Sequence, residues 1–417
     1  MSQSRATQSP PISKTGCCIV GAGPAGAVLA LLLAKAGVAV TLIEAHRDFD
    51  REFRGDTVHP STLDLLAQLG LAEKTLALCH SRVSSVTLET KEGPFSPLNL
   101  EGLQLAFPFI AIIPQARLLE LLTHEASRYP NFRLLLSSTV QELVIEEGQV
   151  RGVRYTQDRA TTELRADVVI AADGRFSKLR KLADIEPTTD GSPMDILWFR
   201  LPRESSDGSG LVGRNTPGRA LVMIDRGSHW QVGYIIAKGG YQQLRAAGLQ
   251  KLRSALRELA PFLGDRADTV TDWKEVSLLS VESSCCAQWY RPGLLLIGDA
   301  AHAMSPIGGV GINYAIQDAI ATFHALVGPL RRGRVSVYDL DAVQQRRRPP
   351  TRWVQWVQTA MAKQVLGSSL QKGTTIHVPK LLRFVVSLKP VRRLLGHMLA
   401  YGPRPEPLDT SLFSSPN

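Results

Sequence analysis

The 417-residue sequence predicts an α/β fold: a parallel sheet with flanking helices, an inserted and mainly antiparallel sheet, and a helical C-terminal segment. Two observations support this expectation. Apolar strands followed by glycine loops and helices occur near both ends of the chain, whereas residues 194–281 mostly have the pattern of antiparallel strands. The composition, 44% hydrophobic and 21% charged, is that of a globular protein.

The net charge of +10 is concentrated at one end of the chain. Residues 346–417 hold twelve Lys or Arg against two Asp or Glu, and the remaining residues carry both signs equally. The charge therefore gives no reason to expect nucleic acid as a partner. The five cysteines have neither zinc-ligand spacing nor a disulfide pattern, so we expect no metal site and buried thiols in a reducing compartment.

The first elements predict a βαβ unit. Residues 1–15 are polar, show no signal-peptide pattern and are expected to be a disordered leader. Residues 16–20 predict a strand, residues 25–36 a helix that is too short to span a bilayer, and residues 38–43 a second strand. This order is typical of the first unit of a nucleotide-binding sheet.

A glycine loop at residues 21–26 joins the first strand to the helix. Gly21 permits the tight turn, Gly23 lets the backbone approach a pyrophosphate, and Gly26 lets the helix pack on the strand. Free N–H groups at the helix start then face the anion. Glu44, at the tip of the second strand, can accept hydrogen bonds from both ribose hydroxyls. The loop residues expected at the cofactor are Gly21, Gly23, Pro24, Ala25 and Gly26.

The middle of the chain changes its pattern. Residues 83–100 alternate as an antiparallel hairpin, residues 115–128 return to helix, and residues 168–172 predict a buried strand. Residues 194–281 then form mostly antiparallel strands, interrupted by one helix at about 242–259.

A second glycine-rich segment spans residues 298–313. The preceding strand delivers Gly298 and Asp299 to the carboxyl edge of the sheet, where Asp299 could bond a ribityl hydroxyl. A helix opening at about Ile312 would turn its N-terminal amides toward the N1–C2=O edge of a flavin and stabilise the negative charge of the reduced ring. The two glycine segments together indicate a Rossmann-like domain that binds FAD.

Three segments carry a family resemblance. Residues 21–26 with Glu44, residues 173–174 and residues 298–313 resemble the three fingerprints of para-hydroxybenzoate hydroxylase-type (group A) FAD-dependent monooxygenases. The segments Arg-Gly-Asp-Thr-Val-His-Pro, ending at Pro60, and Ile-Pro-Gln-Ala-Arg, ending at Arg117, also resemble this family. The match covers most of the chain up to residue 345, becomes vague in the antiparallel sheet and includes no motif in the last 70 residues.

The resemblance implies roles for individual residues. Glu44 would bind the adenosine ribose, while Arg54 and Gln115 would help to seat the FAD. Asp173 would lie near the pyrophosphate and the approach of the nicotinamide donor. Asp299 would hold the ribityl chain. The residues expected to line the isoalloxazine are Gly311, Ile312 and Asn313.

The resemblance also implies the chemistry. NADPH or NADH would bind transiently and reduce the flavin, since the chain has only one GxGxxG motif. The reduced flavin would capture O2, and a C4a-hydroperoxyflavin would hydroxylate or epoxidise a small molecule. Pro306 would lie beside the substrate over the flavin, and no side chain is assigned as acid or base. His302, in the same segment, is predicted to be structural.

The inserted sheet predicts the kind of substrate. Its strands carry bulky apolar side chains without an evident Arg/Tyr clamp for a carboxylate, which favours a largely apolar molecule, aromatic or polycyclic. Each of these side chains could instead belong to the core. The candidate substrate residues are Trp198, Met223, Trp230 and Tyr234.

The segments predict the following organisation: a leader at 1–15; an FAD-binding domain at 16–82, 105–183 and 283–345; a substrate domain at 83–104 and 184–282; and a basic helical segment at 346–417. In that last segment, two amphipathic pieces broken at Pro390 could pack on the protein, form a dimer contact or touch an anionic membrane surface. The expected location is cytoplasmic, with peripheral membrane contact and oligomeric state left open.

Other function classes remain open. The same fold could serve a flavin-dependent reductase or saturase of isoprenoid lipids, similar to geranylgeranyl reductase, or a non-catalytic redox-sensing flavoprotein. The intact Asp173 and Asp299 weigh against loss of the cofactor. A flavin halogenase is disfavoured, because the sequence lacks the Trp-x-Trp-x-Ile-Pro segment.

Overall fold

The computed structural model describes residues 12–50, 56–79, 81–90, 93–208, 210–216, 219–363 and 379–414. The strands are β1 (Ile12–Val20), β2 (Val40–Ile43), β3 (Thr57–Val58), β4 (Ser81–Val83), β5 (Ser85–Thr90), β6 (Gly93–Asn99), β7 (Ile110–Ile112), β8 (Phe132–Leu135), β9 (Thr139–Glu146), β10 (Gln149–Gln157), β11 (Ala160–Ala171), β12 (Pro187–Pro202), β13 (Leu211–Thr216), β14 (Arg219–Asp225), β15 (His229–Ala237), β16 (Ser277–Cys286), β17 (Tyr290–Arg291), β18 (Leu294–Leu296) and β19 (His302–Ala303).

The α-helices are α1 (Pro24–Lys35), α2 (Pro60–Gln68), α3 (Ala72–Leu76), α4 (Gln115–Ala126), α5 (Lys178–Leu182), α6 (Tyr241–Ala246), α7 (Leu249–Leu259), α8 (Gly311–Arg331), α9 (Val337–Met361), α10 (Lys380–Ser387) and α11 (Lys389–Tyr401). The predicted α/β fold with a second, mainly antiparallel sheet is confirmed. Within the described ranges, none of the helices combines the length and apolarity needed to cross a membrane.

The first sheet has the order β17-β18-β11-β1-β2-β8, and β10 and β9 extend it from β11. β18, β11, β1, β2 and β8 are parallel, and their central residues are buried, which explains their nearly continuous apolar sequences. β1 begins at Ile12 rather than at Gly16. Residues 12–15 therefore pair with β11 and do not belong to the predicted leader, of which residues 1–11 lie outside the described residues.

The second sheet has the order β19-β16-β12-β15-β14-β13-β5-β6. The hairpin β5–β6 joins it through a parallel pairing of β5 with β13, so residues 85–99 and the later antiparallel strands share one sheet. β16 continues to Cys286 and pairs with β19. Residues 283–286 and 302–303 are therefore part of this second sheet, although the predicted bounds place them in the FAD-binding domain.

The two faces of the second sheet pack against different elements. We call one the helix-side face, because it packs against α7, which presents Leu252, Leu256 and Leu259 at helical spacing. We call the other the loop-side face, because its apolar cluster includes Ile307 of the second glycine segment. The single helix expected at 242–259 is divided into α6 and α7, since Gly248 adopts φ +86° between them.

The C-terminal helices return to the first domain. Ser336 caps the start of α9, because its side chain accepts from Asp339 N–H while the Asp339 carboxylate accepts from Ser336 N–H. α11 packs on β6 and α2. Its last residue, Tyr401, donates from its hydroxyl to Asp64 Oδ2 at 2.6 Å. Packing on the protein, one of the three alternatives for this segment, is thus what the structure shows for α11.

Candidate functional site

The first glycine loop has the geometry that its sequence predicts. Gly21 adopts φ +101°, and a Cβ there would collide with the carbonyl of Ala172. A Cβ at Gly26 would collide with the carbonyl of Gly21. At Gly23, by contrast, nothing lies within 4 Å of the Cβ position. α1 begins at Pro24 without a side-chain cap, so the helix start presents backbone N–H groups beside open space, as an anion site requires.

Glu44 is tied to this loop. Its Oε2 accepts a hydrogen bond from Ala22 N–H at 2.9 Å, and its Oε1 accepts from His46 N–H at 3.1 Å. The carboxylate is largely buried at the end of β2. The strand tip and the glycine loop therefore hold the one acidic side chain that the sequence predicts for the adenosine ribose.

The second glycine segment lies directly against the first. Gly298 adopts φ +58°, and a Cβ there would lie 3.3 Å from Cβ of Ala315 in α8 and 3.4 Å from Cβ of Ala25 in α1. The short 3-10 turn that contains Asp299 begins at this point. Two motifs almost 280 residues apart in sequence thus meet where α1 and α8 pack together.

The loop before α8 is fixed by a threonine from the other end of the FAD-binding domain. Thr57 Oγ1 donates to the carbonyl of Gly309 at 2.7 Å, and Gly309 has φ +62°. Pro306, half-buried, precedes this turn. α8 begins at Gly311 without a side-chain cap, and nothing lies within 4 Å of the Cβ position of Gly311. The N-terminus of α8 therefore also faces open space.

Asn313 has an unpaired donor at this helix start. Its Oδ1 accepts from His59 N–H at 3.0 Å and from Thr62 Oγ1 at 2.8 Å, which fixes the orientation of the amide. Its buried Nδ2 has no hydrogen-bond partner among the described residues. A buried N–H without an acceptor is rare in proteins. Together with the buried Ile312, it fits the edge of a bound flavin ring.

Asp173 lies beside the first loop, with its carboxylate turned toward α5. A Cβ at Gly21 would be 2.7 Å from Asp173 Cα, so the two segments are in contact. The backbone N–H groups of Lys178 and Leu179 donate to Asp173 Oδ2 at 2.7 and 3.1 Å. Burial raises the pKa of Asp173, although these hydrogen bonds oppose the shift. The carboxylate therefore also stabilises the start of α5, which the sequence analysis did not predict.

Of the two residues predicted to help seat the FAD, the structure describes Gln115 and does not describe Arg54. Gln115 is the first residue of α4, and its backbone N–H donates to Asp56 Oδ1 at 3.2 Å. Asp56 also forms an ion pair with Arg226 in the turn between β14 and β15, and so connects the two domains. Arg54 lies outside the described residues. For both residues, the role at FAD stays a prediction.

A buried ionic network supports the second glycine segment. Asp318 Oδ2 accepts from Gly298 N–H at 3.0 Å and from His302 Nε2 at 2.6 Å, and Asp318 Oδ1 accepts from Arg347 Nε at 3.0 Å. Arg347 also bonds Glu406 of the C-terminal segment. Burial by itself would raise the pKa of Asp318, but His302, Arg347 and the Gly298 amide together hold it below its usual value.

The sequence analysis missed most of this network. His302 had been predicted to be structural, but Asp318 and Arg347 stand inside helices where nothing marks them as special. Arg180, also missed, donates to the carbonyl of Ala300 at 2.9 Å and braces the same turn. A run of arginines in a basic segment usually indicates a charged surface, whereas Arg347 is fully buried. Among the residues that the structure describes, no cluster of His, Cys, Asp and Glu has the arrangement of a metal site.

The substrate residues need a correction. Met223, Trp230 and Tyr234 lie on the helix-side face, packed against α7 and its neighbours rather than toward the glycine loops. Strand alternation placed Trp230 and Tyr234 on one face, but it could not show which face the helices cover. The remaining candidate, Trp198, lies on the loop-side face near Ile307. We therefore no longer expect Met223, Trp230 or Tyr234 to line the substrate pocket.

Comparisons with known proteins show which proteins this chain is similar to. The family described as FAD binding domain matches residues 14–357. 6-Methylpretetramide 4-monooxygenase of Streptomyces rimosus is 35% identical over 404 residues, covering 96% of this chain and 95% of that protein. Para-nitrophenol 4-monooxygenase of a Pseudomonas strain is 25% identical, covering 78% of this chain and 81% of that protein.

A solved structure shows the same fold. It is PqsL of Pseudomonas aeruginosa, described as a probable FAD-dependent monooxygenase. It superposes with a TM-score of 0.74 at 21% identity, covering 86% of this chain and 98% of that one. At this identity the likeness concerns the fold alone.

Proposed function

The chain belongs to the FAD-binding-domain family and is an FAD-dependent monooxygenase of the para-hydroxybenzoate hydroxylase type, and we propose that it uses NADPH or NADH with O2 to hydroxylate or epoxidise a largely apolar small molecule, such as an aromatic compound. The observation that carries the proposal is the 35% identity to 6-methylpretetramide 4-monooxygenase over nearly the whole of both chains. This kinship fits oxygen transfer better than an isoprenoid reductase or a redox sensor.

The described residues fit FAD at both ends of the molecule. The open space at Gly23 and the start of α1 suit the pyrophosphate, and Glu44 suits the adenosine ribose. At the other end, the unpaired Nδ2 of Asn313 and the open space at Gly311 suit the flavin ring. Asp299, between them, is proposed for the ribityl chain.

When FAD is bound, it supplies the redox chemistry: it would accept hydride from NAD(P)H and activate O2. The protein's own tasks are electrostatic and steric. The N-terminus of α8 would stabilise negative charge on a bound flavin, because its first amides have no side-chain cap. Ile307 packs on the loop-side face, and Pro306 precedes it in the loop before this helix, where the two residues would exclude water and bound the substrate.

The loop-side face supports an apolar substrate. Met194, Ile196 and Ile235 form its buried cluster, and Trp198 and Ile307 pack against them while remaining partly exposed. Ligand pockets are typically lined in this way by apolar and aromatic side chains with few polar groups. No side chain is assigned as acid or base, so the proposal assigns substrate placement to the protein and oxygen chemistry to the cofactor.

The test is oxygen labelling with the purified FAD-loaded protein. Under 18O2, NADPH or NADH would be supplied with anhydrotetracycline (a fused-ring phenol), 4-nitrophenol or squalene. We expect one probe to accelerate nicotinamide oxidation and to give a product containing a single 18O atom. Reduction of a C=C bond of squalene, an isoprenoid lipid, without 18O uptake would instead support the reductase alternative. A flavin that NADPH and NADH both fail to reduce would contradict the proposed electron donor.

We also propose peripheral contact of α10 and α11 with an anionic membrane surface. Leu381, Phe384 and Leu394 are 74%, 62% and 60% exposed. Residues 380–401 contain five Lys or Arg and no Asp or Glu. Exposed apolar side chains among cations match the interface of an anionic bilayer, where each basic residue near the surface adds about 1 kcal/mol.

Co-sedimentation with phosphatidylserine-containing vesicles tests this surface. We expect binding at low salt that weakens as salt rises, because surface charges are screened. Phe384→Glu combined with Leu394→Glu should abolish it. Tyr338→Glu, at an exposed aromatic of α9, is the matched control and should bind normally. Absence of binding by the unmodified protein at low salt would rule out the membrane contact.

A further inference from the structure

The segment between β19 and α8 is held by side chains that the proposed cofactor contacts do not include. It contains Pro306 and Ile307, and Ile307 packs on the loop-side face of the second sheet. The carbonyl of Pro306 accepts from Gly309 N–H at 3.0 Å, so the turn is closed on its C-terminal side. Thr57 bonds the carbonyl of Gly309, and α9 bonds the carbonyls nearer to Pro306.

One glutamine of α9 bonds this segment, and a second bonds the strands β16 and β19 that precede it. Gln355 and Gln358 lie three residues apart, hence on one face of the helix, and both are buried. Gln355 Nε2 donates to the carbonyls of Ser284 and Ala303 at 2.8 and 2.9 Å. Gln358 Nε2 donates to the carbonyls of Ser305 and Ile307 at 2.9 and 2.7 Å.

The chemistry of the amide suits this arrangement. A glutamine amide has two N–H donors, and each of these side chains uses both on two different carbonyls. Because a carbonyl can only accept, the partners also fix which end of each amide faces them. The carbonyls that Gln358 bonds stand on either side of Pro306, which itself has no N–H to donate. One side chain thus spans the residue predicted to face substrate and flavin.

We infer that Gln358, supported by Gln355, is a positioning residue that fixes Pro306 and Ile307 and thereby sets how the substrate lies against the cofactor. This inference rests on the proposed function. Without Gln358, the buried carbonyl of Ser305 and the partly buried carbonyl of Ile307 would lose this donor, and the turn would be free to shift. A displacement of about 1 Å at a reacting centre can cost about a hundredfold in rate.

The predicted consequence is uncoupling of NAD(P)H oxidation from product formation. In the coupled reaction, one oxygen atom of O2 enters the product and the other leaves as water, with two electrons from NAD(P)H and two from the substrate. In the uncoupled reaction, the two electrons of NAD(P)H reduce O2 to H2O2 and the substrate is unchanged. A misplaced substrate increases the second outcome at the expense of the first.

The experiment compares Gln358→Met with Gln345→Met in the FAD-loaded protein. Gln345 is exposed on the same helix and serves as the matched control. Hydrogen exchange of the peptide 303–310 is the first readout, and we expect it to be about tenfold faster in Gln358→Met only. The second readout is H2O2 formed per NADPH oxidised with anhydrotetracycline, which should rise severalfold while the FAD dissociation constant stays within about twofold. Gln358→His, which keeps one N–H donor, should give intermediate values.

A folded Gln358→Met protein with unchanged exchange at 303–310 and unchanged coupling would overturn the inference. If it fails to fold, Gln355→Met and Gln358→His provide the same comparison. If the unmodified protein oxidises neither NADPH nor NADH with any of the probes, the proposed function fails, whereas the exchange measurement still decides whether the glutamines hold the segment.

Discussion

The two faces of the second sheet are formed by the same strands but differ in how far their aromatic side chains are buried. On the helix-side face, Trp230 is 1% exposed, and its indole N–H donates to Asp207 Oδ2 at 2.9 Å. On the loop-side face, Trp198 is only half-buried, and it lies over Gly233, where a Cβ would be 3.0 Å from its six-membered ring. A fully enclosed aromatic with a satisfied polar atom is core, whereas an aromatic packed on a glycine and partly open can still receive a ligand.

The largest expected effect concerns the helix-side face. Trp230→Ala removes a fully buried indole, so we expect the free energy of unfolding to fall by about 3–5 kcal/mol. The Michaelis constant of the remaining folded protein for anhydrotetracycline should change less than about twofold, because this face is separated from the glycine loops by the sheet. Urea unfolding and initial rates measure the two quantities. A severalfold change in the Michaelis constant would mean that the distinction between the faces is wrong.

Asp207, which accepts the hydrogen bond from Trp230, makes the free energy of unfolding depend on pH. The Arg266 guanidinium, with further hydrogen bonds, holds the pKa of Asp207 well below its usual value. The ion pair therefore stabilises the fold above the unfolded-state pKa of about 4 and is lost as the pH falls toward the folded-state value. Asp207→Asn should lower the free energy of unfolding by about 2 kcal/mol at pH 7 and flatten its decline in acid. Urea titrations from pH 3 to pH 7 test this, and parallel curves for both proteins would contradict it.

On the loop-side face, we expect a substitution to affect substrate binding more than the stability of the fold. Trp198→Ala should raise the Michaelis constant for anhydrotetracycline about tenfold, which corresponds to about 1.4 kcal/mol of lost binding, and should lower stability less than Trp230→Ala does. Rates of product formation at varied substrate concentration give the comparison. An unchanged constant in a folded, FAD-loaded Trp198→Ala protein would remove Trp198 from the pocket.

The smallest effect is expected at Gly233. Its Cβ in Gly233→Ala would lie 3.0 Å from the Trp198 ring, so the indole must shift by a few tenths of an ångström. We expect a change in the Michaelis constant of about threefold or less. In the Trp198→Ala background the same substitution should have no effect, since its only postulated route is through that ring. Equal effects in both backgrounds would exclude this route.

The parts of the fold that were predicted correctly depend on local signals. The strand–glycine–helix order around Gly21 and the strand leading to Gly298 are visible within ten or so residues, because turn geometry and burial act locally. Which face of the second sheet lies against helices depends on how α7 folds back, and alternation around Trp230 contains no such information. The FAD contacts of Arg54 and Gln115 remain predictions.

The polar supports of the site were missed for a related reason. Asp318, Arg347 and Gln358 each bond partners 16 to 59 residues away, so their neighbours in sequence say nothing about their role. An aspartate, arginine or glutamine in a helix usually marks its solvated side. Only the tertiary structure shows that these side chains point inward, where an unpaired polar group would be costly.

The link from Gly298 through Asp318 and Arg347 to Glu406 has a consequence for the order of assembly during synthesis. The first glycine loop can close once β11 has been made, because its contacts end near Asp173. The second loop gains its last ionic partner only when residue 406 has left the ribosome. We therefore expect the nascent chain to acquire an adenosine site early and a complete flavin site only after the C-terminal helices have docked.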